Sequence, residues 1–401
     1  MKIIRIIMIG SYIGLASCSD RYGSTSQLVK DASPTIEVSQ VKGILPCWNL
    51  TTNPSTDFFE EAVDSMQFIS LETTEKSLLG VINQVQKVDN KLIVVDAYKA
   101  QKILVFDMNG NFLYNIGAKG EGPGEYTSLN HVVITSQTVT ILDWLTWKYI
   151  GYDLEGNILY EHRFQKSIPA ALMQLDKNTF IGSHAGYFPT NPYQLTWIND
   201  KASILNTALP FRNPHGVPAG ILQYTLAGLL LFYHNLCDTI YQIEGTKIVP
   251  KWRLGLYEPE EVDVFLKRTS EMEDKEYIKT LYDGGSTIVN YHFLLECTNF
   301  WIVEYQRGNF AYLSIVDKEN ARSRNYIRTD RSKQKCYVPF VIKNADENWL
   351  CTSISDQFYA LLDEGMREEF FSKVKSEKDR EMLRNYDIEN QNPIVCLFHL
   401  K

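Results

Sequence analysis

Residues 91–114 read KLIVVDAYKAQKILVFDMNGNFLY, and residues 138–160 read TVTILDWLTWKYIGYDLEGNILY. Asp96, Asp107, Gly110, Asn111, Leu113 and Tyr114 of the first stretch return as Asp143, Asp153, Gly156, Asn157, Leu159 and Tyr160 of the second. A unit that returns after roughly 45 residues is a signature of sheets repeated around an axis. The runs KLIVVD and KILVF are rich in β-branched residues and too short for helices. They are almost continuously apolar, so both faces of each strand must be covered, as in a sheet held between two neighbours. DMNG and DLEG place an acidic turn residue before a glycine able to take positive φ, which makes each an outer hairpin turn.

Followed along the chain, that turn gives Asp107, Asp153, Asp200, Glu244, Asp317 and Asp363, at steps of 46, 47, 44, 73 and 46 residues. The long step contains residues 258–284, whose 27 residues account for the excess. Six units result, and the fold class is all-β: a six-bladed β-propeller with a helical insertion and a helix before the closing C-terminal strand. In the insertion, Pro259 among Glu258, Glu260 and Glu261 suits a first helical turn. Val262, Phe265, Leu266, Met272, Tyr277, Ile278 and Leu281 make one apolar face. Lying outside the repeat, the segment is expected to be removable with the rest still folded. A second helical stretch, about Glu364 to Leu383, precedes the strand candidate NPIVCLFHL at 392–400, and MQFISL at 66–71 is another before the first unit. The two ends are suited to meet in one composite blade that closes the ring.

At the N-terminus, Lys2 and Arg5 precede an uncharged run from Ile6 to Ser17. That run is far short of the ~20 residues that span a bilayer. Leu15-Ala16-Ser17-Cys18 resembles the lipobox of bacterial lipoproteins. The resemblance implies a signal peptide over residues 1–17 and lipidation at Cys18, whose several acyl chains supply stable anchoring. Ser19 after the cysteine implies sorting to the outer membrane. Residues 18–45 read as a lipidated N-terminus and flexible tether, and residues 46–401 as the propeller.

Loss of Lys2 and Arg5 from the 40 basic residues leaves 38 against 48 acidic ones, a net charge of −10. A duplex-binding surface needs a basic stripe, so nucleic acid is excluded as a partner. The densest basic stretch, Arg322 to Lys335, reads as a solvated outer hairpin. Cys47, Cys237, Cys297, Cys336, Cys351 and Cys396 show no CxxC or metal-ligand spacing and read as buried free thiols.

Gly117-Ala-Lys-Gly120-Glu-Gly122-Pro-Gly124-Glu-Tyr126 superficially matches a phosphate loop, but Glu125 and then the strand-like HVVIT follow where Lys, Ser/Thr and a helix are needed. It reads as a tight crossover from one blade to the next. The seven histidines have no HxH or HxxxH pair and read as hydrogen-bonded strand histidines or rim residues; the alternative is that His131 and His292 face the central channel, where several inner strands could jointly hold a metal. Trp144, Trp147, Tyr149 and Tyr152 crowd the second unit as inter-blade packing or as a sugar-stacking surface.

Phe68-Ile-Ser-Leu-Glu-Thr73, the unit Leu92–Gly117, the glycine-rich segment 120–126, Asp238-Thr-Ile-Tyr241 and Asn392-Pro-Ile-Val together resemble the six-bladed β-propeller lipoproteins of Bacteroides and relatives, whose propellers are similar to NHL-repeat domains. The resemblance covers residues 46–400 and brings no agreed catalytic residues or cofactor. A complete architecture with no recognisable catalytic set reads as a non-enzymatic binding or scaffold module, a lipid-anchored cell-envelope propeller that binds a protein or other ligand at its central mouth or near the 258–284 insertion. Two alternatives stand beside it: a metal-dependent propeller hydrolase or lyase at the channel, and a glycan-binding accessory protein.

Overall fold

In the computed structural model, which describes residues 35–50, 53–164, 168–184, 192–211, 220–256, 259–281, 289–355, 358–359 and 362–401, the two apolar runs become adjacent strands of one antiparallel sheet. That first blade is Gln84–Val88, Lys91–Asp96, Lys102–Asp107 and Phe112–Asn115. Period-two alternation sends its apolar side chains to two separate cores. Leu92, Val94, Leu104 and Phe106 pack on the sixth blade, while Ile93, Val95, Ile103 and Val105 pack on the second.

Further blades follow in chain order. The second is His131–Ile134, Thr138–Asp143, Lys148–Asp153 and Ile158–Arg163. The third is Ala171–Gln174, Thr179–Ser183, Tyr193–Asn199 and Ile204–Pro210. The fourth is Ile221–Tyr224, Leu230–Tyr233, Thr239–Glu244 and Lys247–Arg253. The fifth is Val289–Glu296, Phe300–Arg307, Phe310–Asp317 and Ser323–Asp330, edged by Lys335–Cys336. The sixth takes Asn344–Asp346, Trp349–Ile354 and Ile394–Leu400 from the C-terminal part, and its outer strand, Val63–Ser70, from the N-terminal part. Met66 pairs with Phe398 and Phe68 with Cys396, so the ring closes through the composite blade that the two ends imply. Six apolar clusters fill the six junctions between neighbouring blades.

Five of the expected outer turns fall between third and outer strands, with two corrections to the series. In the third blade the turn acceptor is Asn199, which takes the N–H groups of Lys201 and Ser203, rather than Asp200. Asp363 makes no hairpin: it caps the helix Glu364–Lys373 by accepting the Met366 N–H at 2.8 Å. A sixth hairpin is not needed, because that blade receives its outer strand from the other end of the chain.

The chain from Thr35, expected as tether up to residue 45, is instead seated on the propeller rim. Thr35–Ile36 adds a parallel strand to the third blade, Val38 and Cys47 bridge to the outer strand of the fourth, and Ser55 bridges to that of the fifth. These outer edges carry unpaired N–H and C=O groups, and the N-terminal strap covers part of them. The insertion forms helices Pro259–Thr269 and Asp274–Leu281. Val262, Phe265 and Tyr277 are buried in the same core as Trp48, Tyr233 and Trp301, so the segment is part of the junction between the fourth and fifth blades and is not an appendage. No helix among the described residues is long and apolar enough to cross a membrane.

Candidate functional site

Cys18 and the residues read as a signal peptide lie outside the described residues. His131 sits on the inner strand of the second blade, on the same strand face as Val133, whose side chain packs into the core of the third and fourth blades. It pairs with Leu142 of the next strand, and burial pulls its imidazole down to about 4. His292 falls where the pairing of Val289–Glu296 with Phe300–Arg307 breaks register, and its side chain is outside the described set. Among the described residues, no three His, Cys, Asp or Glu side chains gather as a metal-holding group.

The glycine-rich crossover is closed to phosphate by its own side chains. Lys148, fully buried, donates to the carbonyls of Glu121 (3.2 Å), Gly122 (2.7 Å) and Glu125 (3.0 Å). The amides of Gly122 and Gly124 donate to the carboxylates of Glu125 and Glu161, at 2.8 and 2.6 Å. Ligand-ready cation and amides are therefore both spent internally. The basic stretch is likewise tied down: Arg328 is 8% exposed, donates to the Phe340 carbonyl and pairs with buried Glu304 at 3.5 Å, which corrects the solvated-hairpin reading at that residue. Among the described residues no cysteine is in a disulfide: Cys297, Cys351 and Cys396 are buried and Cys47, Cys237 and Cys336 are half-buried.

Of the four aromatic residues singled out in the second blade, Tyr149 and Tyr152 are buried, Trp144 packs toward the third blade, and Trp147 is exposed. A concave site lies in the same blade, and Tyr149 lines it. A cleft of about 390 Å³ opens between the second and third blades, with Tyr224 of the fourth at its margin. Gly151 explains how it forms. This residue is paired with Tyr160, and a Cβ there would come within 2.3 Å of the Tyr160 ring. With no side chain at 151, the ring lies across the strand, stacks on Tyr149 at 5.9 Å, and brings its hydroxyl to 3.3 Å from Thr140 Oγ1.

The Tyr149 hydroxyl accepts the Gln174 N–H at 3.2 Å, and the Tyr224 hydroxyl donates to the Gln174 carbonyl at 2.9 Å. Burial pushes both phenols above their ordinary range, so they stay neutral. Thr135 and Thr138 add hydroxyls from the hairpin beyond the inner strand. The Asp176 carboxylate is taken by the N–H groups of Asn178 and Thr179 at 2.9 Å each, which hold it below the usual carboxylate range. The lining thus offers hydroxyl and amide groups over aromatic faces, together with the charged side chains of Asp176 and Lys177. A second cavity of about 310 Å³, between Phe59, Tyr337 and Phe370, is bordered by Lys373, already paired with Glu60 at 2.9 Å. The signal for the cleft was a glycine inside the strand run KYIGYD, a mark of close approach that the repeat alone does not reveal.

A family model described as a domain of unknown function, DUF4934, matches residues 44–399. No curated protein matches the chain. Among solved structures, a putative exported protein of Bacteroides fragilis aligns with a TM-score of 0.65 at 20% identity, over 84% of this chain and 95% of that one. A member of the duf4221 family from Bacteroides vulgatus aligns with a TM-score of 0.49 at 10% identity, over 85% and 98%. The first of these likenesses carries the propeller fold, and the match over residues 44–399 places this chain in the DUF4934 family.

Proposed function

We propose that this protein is an exported, lipid-anchored binding module whose propeller takes a neutral, hydroxyl-rich ligand, such as a short glycan, in the cleft between its second and third blades. The observation that carries this reading is the lining: Thr140, Tyr160, Gln174 and Tyr224 present neutral donors and acceptors beside stacked aromatic rings. Such a surface can exchange hydrogen bonds with ligand hydroxyls while a ring covers the apolar face of the ligand. Export and anchoring rest on Leu15-Ala16-Ser17-Cys18, in keeping with a relative described as a putative exported protein.

Calorimetric titration with neutral oligosaccharides, alongside uronate and sulfated ones, tests the site. The expected result is saturable binding of at least one neutral sugar, weakened about tenfold or more by Tyr160→Ala or Tyr224→Ala, the loss of roughly one stacking or hydrogen-bonding partner. Binding of charged sugars alone, or binding unaffected by both substitutions, would place the ligand elsewhere. For the anchor, Cys18→Ser is expected to move the protein from the detergent phase to the aqueous phase.

A further inference from the structure

The second cavity, of about 310 Å³, lies where three segments outside the blade repeat meet: the short helix Phe58–Ala62 with the residues before it, the edging strand Lys335–Cys336 with the chain after it, and the helix Glu364–Lys373. On the longer helix Met366, Glu369, Phe370 and Lys373 are spaced three and four residues apart, so one helix face supplies a wall of the cavity. The interior is aromatic. Phe59 and Phe370 are 6% and 4% exposed, and their ring centroids lie 5.4 Å apart. The volume is at the lower end of the roughly 300–1,000 Å³ of small-molecule sites. An apolar cavity of about 150 Å³ already takes one benzene ring, so there is room here for a ring with a short charged chain.

Charges of both signs border that aromatic space, and they are unevenly committed. The Lys373 ammonium is taken by Glu60 at 2.9 Å and lies 5.7 Å from the Phe59 ring centroid. The Lys335 ammonium pairs with none of the described residues. Among the described residues the Asp57 carboxylate accepts only the neighbouring Thr56 hydroxyl, at 3.3 Å, and it makes no cap to the helix that it precedes. Glu369, with its side chain 74% exposed, stands 3.9 Å from the already paired Lys373. One cation and two carboxylates are therefore left to meet a ligand. We propose that this cavity binds a small aromatic zwitterion, a free aromatic amino acid, with its ring against Phe59 and Phe370, its carboxylate on Lys335 and its ammonium on Asp57 and Glu369. An aromatic acid alone would bring a like charge to Asp57 and Glu369, and an aromatic amine alone would leave Lys335 without a counter-ion; the zwitterion answers both signs. The cavity shares no lining residue with the cleft between the second and third blades, so the two sites are independent.

The test is calorimetric titration of the full-length protein near neutral pH with phenylalanine, phenethylamine and hydrocinnamate, which set the zwitterion beside its two singly charged counterparts around the same ring. Phenylalanine is expected to bind saturably and about fivefold or more tighter than either counterpart, the order of one partly exposed ion pair. Lys335→Met is expected to weaken phenylalanine about fivefold and to leave phenethylamine unchanged, whereas Asp57→Asn should weaken phenylalanine and spare hydrocinnamate. No saturable binding of phenylalanine, or a counterpart that binds as tightly, overturns the proposal from the unaltered protein alone. So does a folded Lys335→Met protein that binds phenylalanine as before.

Discussion

Asp107 organises its turn with one carboxylate: one oxygen accepts the N–H groups of Asn109 (2.8 Å) and Asn111 (2.9 Å), the other the Asn111 side-chain amide (2.8 Å). Asp153 repeats the pattern with Glu155 and Asn157, and Asp317 accepts from Glu319 and Asn320. Each turn then passes through a residue with positive φ, three places on at Gly110 (+86°) and Gly156 (+88°) and four places on at Ala321 (+57°). That strain costs a non-glycine residue about 1–2 kcal/mol. Gly110→Ala would add a Cβ 2.0 Å from the Ser70 carbonyl oxygen, a clash with the neighbouring blade. It is therefore expected to destabilise the protein by at least about 2 kcal/mol in urea unfolding. Ala321 is exposed, so Ala321→Gly gains strain relief against a chain-entropy loss of about 0.5–1 kcal/mol. The expected outcome is a gain of about 0.5 kcal/mol; a loss would contradict the strain argument. The acid and the glycine were legible in the sequence, but the shift from Asp200 to Asn199 was not, because the acceptor is identified by which amides it reaches.

Lys148 shows what an element gains from a buried charge. Its ammonium joins three carbonyls of the 121–125 crossover to Glu161 of the outer strand, 3.5 Å away. Replacing it leaves those acceptors and the carboxylate without their cation, and breaking a buried pair from one side costs about 3–5 kcal/mol. Lys148→Met should therefore lower urea stability by that order, and the double variant with Glu161→Gln should lose less. Equal losses would show that the carbonyls, rather than the carboxylate, dominate. The insertion carries a related lesson. Its apolar face at Val262, Phe265 and Tyr277 was legible from spacing, but the surface that the face covers was not, since Trp48, Tyr233 and Trp301 come from distant parts of the chain.

Over the whole molecule, stability depends on joining the ends. Asn392, 1% exposed, stands just before the last strand; its side-chain oxygen accepts the Leu79 N–H, and its amide donates to the carbonyls of Glu72 and Ser77, each at 2.8 Å. It thus ties the C-terminal strand to the segment leading from the sixth blade to the first. Asn392→Ala leaves two buried backbone groups, the Leu79 N–H and the Ser77 carbonyl, without this partner, at about 1–3 kcal/mol each before relaxation, while the Glu72 carbonyl keeps the Ser77 hydroxyl. Thermal unfolding is expected to show a loss of about 3 kcal/mol or more; a loss below about 1 kcal/mol would mean that the closure does not depend on this residue. The sequence by itself determined the strand–turn unit of a blade and the meeting of the termini, because each follows from local periodicity of apolar, acidic and glycine positions; it also reached six blades, although its sixth marker, Asp363, is a helix cap. Tertiary structure alone decided that the strap from Thr35 lies on the rim, that Lys148 silences the glycine loop, and that Thr140, Tyr160, Gln174 and Tyr224 share a cleft. Spacing along a chain specifies how one blade is built, whereas which side chains converge between blades depends on how neighbouring sheets are turned about the common axis.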